Sequence, residues 1–178
     1  MMKKLSIADK DIDTILVLDF GSQYTQLIAR RIREIGVYSE ILPWDISSEK
    51  LQYLNPKGVI LSGGPESVTK TNTPRISNSI FELSVPILGI CYGMQTLAEQ
   101  NDGKVTTSRK KEFGYSKFSI EQESLLFKGI NTKEIEVWMS HGDKVSSLPN
   151  NFVLTGSTES AQIASMEHKK LPYYALQF

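Results

Sequence analysis

The sequence has only one cysteine, Cys91, and this scarcity excludes whole classes of protein. An internal disulfide needs two thiols, so the chain is not a disulfide-stabilised secreted scaffold. The only histidines beside that thiol are His141 and His168, which is too few ligands of this kind for a Cys/His zinc site. We therefore expect no metal site in this chain.

An excess of charge of one sign is missing too. Lys and Arg number 20, as do Asp and Glu, so the formal net charge is zero. This balance argues against a domain that grips nucleic acid or an anionic membrane by its overall charge. No apolar run approaches the ~18 residues of a membrane span, and charged residues from 9 to 13 interrupt any signal-peptide pattern. We expect a cytoplasmic protein without nucleic-acid or membrane partners.

What remains is an ordinary globular composition. The chain has 178 residues, of which 40% are hydrophobic and 22% charged, enough to close one core. Residues 1–13 are polar and unpatterned, and we interpret them as a loose N-terminal extension. Residues 14–178 then form a single domain.

Short apolar stretches alternate with helical patterns in the first half. The stretches are too short for helices and are typical of strands buried in a parallel sheet. They are residues 14–19, 37–42, 58–62 and 86–90. Residues 24–35 and 92–100 carry apolar residues at helical spacing, and Gly36 lies where a helix commonly ends. The alternation predicts a doubly wound α/β sheet with helices on both faces.

The second half has a different pattern, with short strand candidates separated by turns. We expect these strands to be more antiparallel, within one mixed but mainly parallel sheet. The candidates are residues 118–120, 134–139, 152–155, 163–166 and 173–178.

The strongest local signal is Gly-Ile-Cys-Tyr-Gly at 89–93, a G-x-nucleophile-x-G pattern with cysteine as the nucleophile. A nucleophile between a strand and a helix sits on a sharp turn, which needs small residues two positions away on each side. The start of the helix carries partial positive charge, which favours the thiolate of Cys91. The motif alone also fits a buried structural cysteine at a strand end.

Two other segments belong to this picture. Ser-Gly-Gly-Pro at 62–65 follows a buried strand, so it lies at the same sheet edge as Cys91 and can turn N–H groups toward a ligand. By itself it equally fits an ordinary turn. Ser-His-Gly-Asp at 140–143 closes another predicted strand, where a lone histidine is more often structural than catalytic.

These motifs together resemble the class I glutamine amidotransferase domains of the GMP synthase family, over residues 14–178. The segments that carry the resemblance are Asp-Phe-Gly-Ser-Gln-Tyr at 19–24, Leu-Ser-Gly-Gly-Pro-Glu-Ser at 61–67, Gly-Ile-Cys-Tyr-Gly-Met-Gln at 89–95, Glu-Phe-Gly-Tyr at 112–115 and Trp-Met-Ser-His-Gly-Asp-Lys-Val at 138–145. The resemblance implies a flavodoxin-like fold.

The resemblance also implies roles. Cys91 would attack the side-chain amide of L-glutamine to form a thioester, and the N–H groups of Gly64 and Tyr92 would stabilise the oxyanion. The residues that would hold the glutamine are Gln95, Ser140, His141, Gly142 and Asp143. In this family the ammonia passes to an ATP-pyrophosphatase domain, which uses ATP and magnesium to convert XMP to GMP in purine biosynthesis.

The chain departs from the family pattern at its end. A His-Pro-Glu triplet follows a Gln-Phe pair in the family, whereas this sequence stops at Gln177 and Phe178. We therefore expect an incomplete amidotransferase domain, inactive alone, without the ATP-pyrophosphatase and dimerisation domains of a homodimeric enzyme and without a cofactor of its own. Two alternatives stay open: a non-catalytic module that binds glutamine or docks to a synthetase, and another cysteine hydrolase of similar fold.

Overall fold

The computed structural model of the chain describes residues 12–178, with residues 109–112 described by their backbone alone. All but the last two residues of the predicted N-terminal extension lie outside this range. In the described part no helix is both long and apolar enough to cross a membrane.

The described residues form strands and helices that alternate up to residue 104 and strands after it. The strands are β1 Thr14–Asp19, β2 Tyr38–Pro43, β3 Gly58–Leu61, β4 Ile87–Ile90, β5 Lys104–Ile120, β6 Glu134–Ser147, β7 Phe152–Thr158, β8 Ser165–His168 and β9 Tyr173–Leu176. The helices are α1 Thr25–Glu34, α2 Ser48–Leu54, α3 Asn78–Glu82 and α4 Tyr92–Glu99, with a 3₁₀ turn at Leu125–Phe127.

All the strands join one sheet in the order β2-β1-β3-β4-β9-β8-β7-β5-β6. The pairings from β2 through β9 are parallel, and those from β9 through β6 are antiparallel. The carboxyl ends of β1, β3 and β4 therefore meet at one edge of the sheet. This confirms the predicted α/β fold with an antiparallel second half.

Chain direction assigns the helices to the two faces. The connection through α1 runs from β1 outward to β2, whereas those through α2 and α3 run in the opposite direction across the sheet. Right-handed crossovers then place α1 on one face and α2 and α3 on the other. As predicted, the glycine after α1 ends it: Gly36 has φ +83° and donates its N–H to the Arg33 carbonyl at 2.9 Å.

Two hydrophobic cores divide the interior. The larger lies around the parallel strands and α4, and includes the fully buried side chains of Leu16, Leu61 and Leu97. The smaller lies under the long β5–β6 ribbon, around Phe118 and Met139. The ribbon thus has a buried inner face and an opposite face turned to solvent.

Two sequence expectations need correction, and two helices were missed. β5 begins at Lys104 rather than at residue 118, because its pairing with β6 extends the strand through a polar stretch. Residues 140–143 lie inside β6 and do not follow its end. The short helices α2 and α3 were not predicted, since neither is long enough to show a helical period.

Candidate active site

Cys91 occupies a strained turn between β4 and α4. Its backbone has φ +50° and ψ −109°, a conformation that costs a residue with a side chain about 1–3 kcal/mol. Main-chain hydrogen bonds hold it there: the Cys91 N–H donates to the Leu176 carbonyl at 2.8 Å, and the Gln95 N–H donates to the Cys91 carbonyl at 3.0 Å. Strain that the surroundings maintain at one residue is typical of a nucleophile elbow.

The positions two residues before and after Cys91 require glycine, because other backbone atoms lie too close to them for a side chain. A Cβ atom at Gly93 would overlap the Leu61 carbonyl oxygen of the neighbouring strand. A Cβ at Gly89 would lie 2.7 Å from the Gly93 carbonyl oxygen. The tight turn predicted from the spacing of these glycines is therefore present, and it brings α4 directly against the sheet.

The loop after β3 lies beside the thiol. The buried Ser62 hydroxyl fixes its start, accepting from the Phe20 N–H at 3.0 Å and donating to the Gly63 carbonyl at 2.9 Å. A Cβ at Gly63 would lie 3.5 Å from the Cys91 Cβ, and one at Gly64 would lie 2.5 Å from the Phe20 carbonyl oxygen. Gly63 is thus within contact distance of Cys91. Gly64, the predicted oxyanion donor, follows it at a position where the Phe20 carbonyl leaves no room for a side chain.

Tyr92 begins α4, so its N–H is one of those at a helix start that have no acceptor within the helix. Its side chain is buried, its ring centre lies 5.4 Å from that of Phe20 in a tilted arrangement, and its hydroxyl donates to the Pro74 carbonyl at 2.7 Å. The side chain therefore anchors the turn, and only the backbone of Tyr92 is available for oxyanion chemistry.

The Cys91 thiol is partly exposed and protonated at neutral pH. Burial raises its pKa to about 11. Its Sγ donates a hydrogen bond to the Gln177 carbonyl oxygen at 3.1 Å. Burial thus acts against the thiolate, whereas the start of α4 was expected to favour it.

Gln95 joins three elements at the base of the site. Its buried side-chain amide donates to the Asp143 carbonyl at 2.8 Å and, more weakly, to the Gln177 Oε1 at 3.4 Å. The structure thus brings the predicted pair Gln95 and Asp143 together beside the elbow. The amide of Gln95 is occupied by protein groups that tie α4 to β6 and to the end of β9.

The four residues of the 140–143 segment do not face one way. Within β6 the side chains alternate, so Ser140 is exposed whereas His141 and Asp143 are buried, with Gly142 between them. The Asp143 carboxylate accepts a hydrogen bond from the Ser67 hydroxyl, which connects β6 to the loop after Gly64. Sequence reasoning predicted the segment but not its division between two faces.

The second histidine lies at the other end of the sheet. Ser165 pairs with Leu176 near the elbow, and His168 ends the same strand three residues further, ~10 Å away along β8. Its Nδ1 accepts the N–H groups of Lys170 and Leu171 at 3.0 and 2.9 Å. Its role is structural.

Two contributors to the site were not predicted: Ser67 and Gln177. Gln177 follows β9, which is parallel to β4, so the rule that sites gather at the carboxyl edge of parallel strands was a usable signal. The bond from Ser67 to Asp143 spans 76 positions, and no local pattern reveals it. No group of histidine, cysteine or acidic residues within the described part of the chain could hold a metal ion.

A comparison with models of protein families identifies the family to which this chain belongs. The model of the class-I glutamine amidotransferases matches residues 16–178. The chain belongs to the class-I glutamine amidotransferase family. The match takes in the elbow, the loop after β3 and the β6 segment alike.

Curated relatives add detail. The chain is 56% identical to the glutamine-hydrolysing GMP synthase of Hahella chejuensis over 172 residues, covering 92% of this chain and 33% of the relative. It is 53% identical to that of Vibrio cholerae over 164 residues, covering 92% of this chain and 32% of the relative. The chain thus spans about a third of the length of the curated relatives it matches.

Solved structures agree with the fold. A GMP synthase subunit from Thermoplasma acidophilum is 35% identical with a TM-score of 0.80, over 94% of this chain and 83% of that one. A glutamine amidotransferase from Thermotoga maritima has a TM-score of 0.73 at 18% identity, over 93% of this chain and 75% of that one. The second likeness concerns the fold alone.

Proposed function

We propose that this chain is the glutamine-hydrolysing part of a GMP synthase. The observation that carries the proposal is Cys91 on its strained elbow, at the sheet edge where the loop of Gly63 and Gly64 also lies. Identity above 50% to curated GMP synthases supports the choice of this enzyme among the amidotransferases.

The proposed chemistry begins at the sulfur of Cys91. Its thiolate attacks the side-chain carbonyl carbon of glutamine, and the carbonyl electrons move onto oxygen. The N–H groups of Gly64 and Tyr92 stabilise that oxyanion, each worth about 3–4 kcal/mol in acyl transfer. The carbon–nitrogen bond then breaks, nitrogen leaves with an added proton as ammonia, and water hydrolyses the thioester to glutamate.

The rest of the glutamine is held, in this proposal, by Gln95 and the 140–143 segment. Ser140 exposes its side chain, and Gln95 fixes the backbone of the segment through the Asp143 carbonyl. In this proposal His141 and Gly142 also help to hold the glutamine. The fixed backbone of β6 supplies the rigid contact that a small polar substrate needs.

The ammonia is proposed to serve an ATP-pyrophosphatase domain that converts XMP to GMP. The names of the curated relatives support this step, and two thirds of their length lies outside the region matched by this chain. ATP and magnesium would bind in that domain. We further propose a homodimeric cytoplasmic enzyme.

One observation favours a second candidate, a module that binds glutamine without turning it over. Burial raises the pKa of Cys91 to about 11, so a thiolate is scarce at neutral pH. A binding module would keep the residues proposed to hold glutamine and lack the chemistry.

The test uses a full-length enzyme that carries this chain. We expect Cys91→Ala to abolish GMP formation from glutamine, while GMP formation from added ammonia stays unchanged because ammonia bypasses the thioester. A glutamine analogue with an electrophilic side chain should label the wild type and not the variant. Loss of both activities together would assign Cys91 a structural role, and wild-type binding of glutamine without ammonia release would establish the binding module.

A further inference from the structure

The outer face of the β5–β6 ribbon carries three large aromatic side chains in solvent, here called the aromatic face. Phe113, Tyr115 and Trp138 are 67%, 80% and 54% exposed. Tyr115 and Trp138 are directly opposite in the antiparallel register, and their rings meet edge to face at 5.0 Å. The cluster is thus organised and contiguous.

The core of the molecule does not require these side chains. The inner face of the same ribbon buries Phe118, Val137 and Met139 in the smaller core. In a ribbon with one solvated face the outward positions are normally polar. Tyrosine and tryptophan exposed together are instead characteristic of the centre of a protein interface.

Charged residues border the aromatic face on one side, as a polar rim does at such interfaces. Lys117 and Glu136 are the next opposite pair on the same face of the ribbon, and Glu134 follows, all exposed. Lys117 Nζ lies 4.0 Å from Glu134 Oε2. β6 is also the last strand in the sheet order, so this face lies at an open edge.

The aromatic face is continuous with the candidate active site. Phe113 pairs with Ser140, whose side chain points to the same exposed side. Along β6, Trp138 is ~17 Å from Asp143, the residue held by Gln95 beside the elbow. A partner bound to the aromatic face would therefore contact the exposed side of Ser140, a residue proposed to hold the glutamine, on the ribbon face opposite to the buried Asp143 side chain.

We infer that the aromatic face is the docking surface for the ammonia-consuming domain of the same enzyme. The inference rests on the proposed function. About two thirds of each curated relative lies outside the region matched by this chain, which leaves ample polypeptide to cover the surface. A domain that receives ammonia must bind this chain, and an exposed aromatic cluster with charged neighbours next to Ser140 offers a surface for that contact.

The experiment measures how many glutamines the full-length enzyme hydrolyses for each GMP formed. The test variant is Tyr115→Thr with Trp138→Thr, since threonine retains strand propensity and removes the aromatic area. The matched control is Tyr53→Thr, because Tyr53 is 60% exposed on α2, away from the ribbon. Thermal unfolding of each variant and GMP formation from added ammonia establish that both domains remain folded.

We expect the double variant to hydrolyse at least about threefold more glutamine per GMP than the wild type, as ammonia escapes from a loosened interface. The control should keep the wild-type ratio, and ammonia-driven synthesis should be equal in all three. An unchanged ratio in the double variant overturns the inference. A raised KM for glutamine at an unchanged ratio also overturns it, because the face would then cover the substrate. Loss of the dimer at an unchanged ratio overturns it too, because the face would then be a contact between two copies of the enzyme.

Failure of the proposed function would be seen separately. In that case the wild type itself would release no ammonia from glutamine, whatever the state of the aromatic face. A wild type that hydrolyses glutamine with an unaffected double variant removes the docking inference alone.

Discussion

The Cys91 thiol donates its hydrogen bond to the main-chain carbonyl of Gln177, with 3.1 Å between sulfur and oxygen. A carbonyl oxygen accepts this proton in a hydrogen bond but cannot remove it. The bond therefore favours the neutral thiol, as does burial, which raises the pKa of Cys91 to about 11. Activation of the nucleophile requires a group that displaces or outcompetes this carbonyl.

This relationship predicts slow alkylation of Cys91 at neutral pH. Only the thiolate reacts with iodoacetamide, so the rate in the folded 178-residue chain should rise about tenfold for each pH unit from 7 to 10 without levelling. The rate in the urea-unfolded chain should reach half of its maximum at about pH 8.5, where an ordinary thiol is half ionised, and level off above about pH 9.5. Mass spectrometry of timed samples measures both rates on the same single cysteine. A plateau near pH 7 in the folded chain would contradict the raised pKa.

The glycine after the elbow gives a second prediction. Gly93→Ala would drive a Cβ into the Leu61 carbonyl of β3, a rigid backbone group that cannot yield. We expect a loss of about 3 kcal/mol in the free energy of unfolding. Gly129→Ala is the control: its φ of +90° imposes a strain of about 1–2 kcal/mol, but nothing lies within 4 Å of the new methyl group. Urea unfolding measures the free energy of unfolding of both variants. Equal losses would mean that the Leu61 carbonyl close to Gly93 adds no cost to the new methyl group.

Local pattern was sufficient for the strands of the parallel half of the fold. β1 lies at Thr14–Asp19 as predicted, because a strand buried on both faces is marked by its own apolar residues. The elbow at Cys91 was predictable for the same reason, since the turn needs glycine at fixed local positions. The 140–143 segment was found as a motif, although its place inside β6 was not.

Long-range pairing accounts for the features that were missed outside the short helices α2 and α3. The polar beginning of β5 is a strand because β6 pairs with it, and strand propensity depends strongly on such neighbours. The bonds from Gln95 to Asp143 and from Cys91 to Gln177 join residues 48 and 86 positions apart. Ser47 did carry a local signal for α2, since its side chain accepts the Lys50 N–H as an N-cap.

A third prediction concerns the tie between α4 and β6. Gln95→Met keeps the length of the side chain but leaves the Asp143 carbonyl without its donor. We expect a loss of about 1–3 kcal/mol in the free energy of unfolding, the cost of an unsatisfied buried polar group. Gln122→Met makes the same change at an exposed position and should cost within about 0.5 kcal/mol. If the two variants are equally stable, the hydrogen bond from Gln95 does not hold the ribbon in place.

The last prediction is a pH dependence of stability that comes from His168. Its Nδ1 accepts the N–H groups of Lys170 and Leu171, so the ring must be unprotonated at that nitrogen to hold the turn. Burial, with a smaller contribution from the Lys170 charge, lowers the pKa of His168 in the folded chain below its ordinary value of about 6.5. As pH falls below 6.5 the unfolded chain takes up the proton first, so this stabilisation is present above that pH and is lost beneath it.

His168→Asn tests the assignment, because the Asn oxygen can accept the same N–H groups and does not titrate. The variant loses the ring contacts with Phe152 and Tyr173 at every pH, which shifts its stability by a constant amount. The slope is the informative quantity: between pH 7 and 5 the free energy of unfolding, measured with urea, should fall less steeply in the variant than in the wild type. Equal slopes would assign the acid sensitivity of the fold to other groups and show that the turn after β8 does not depend on a neutral His168.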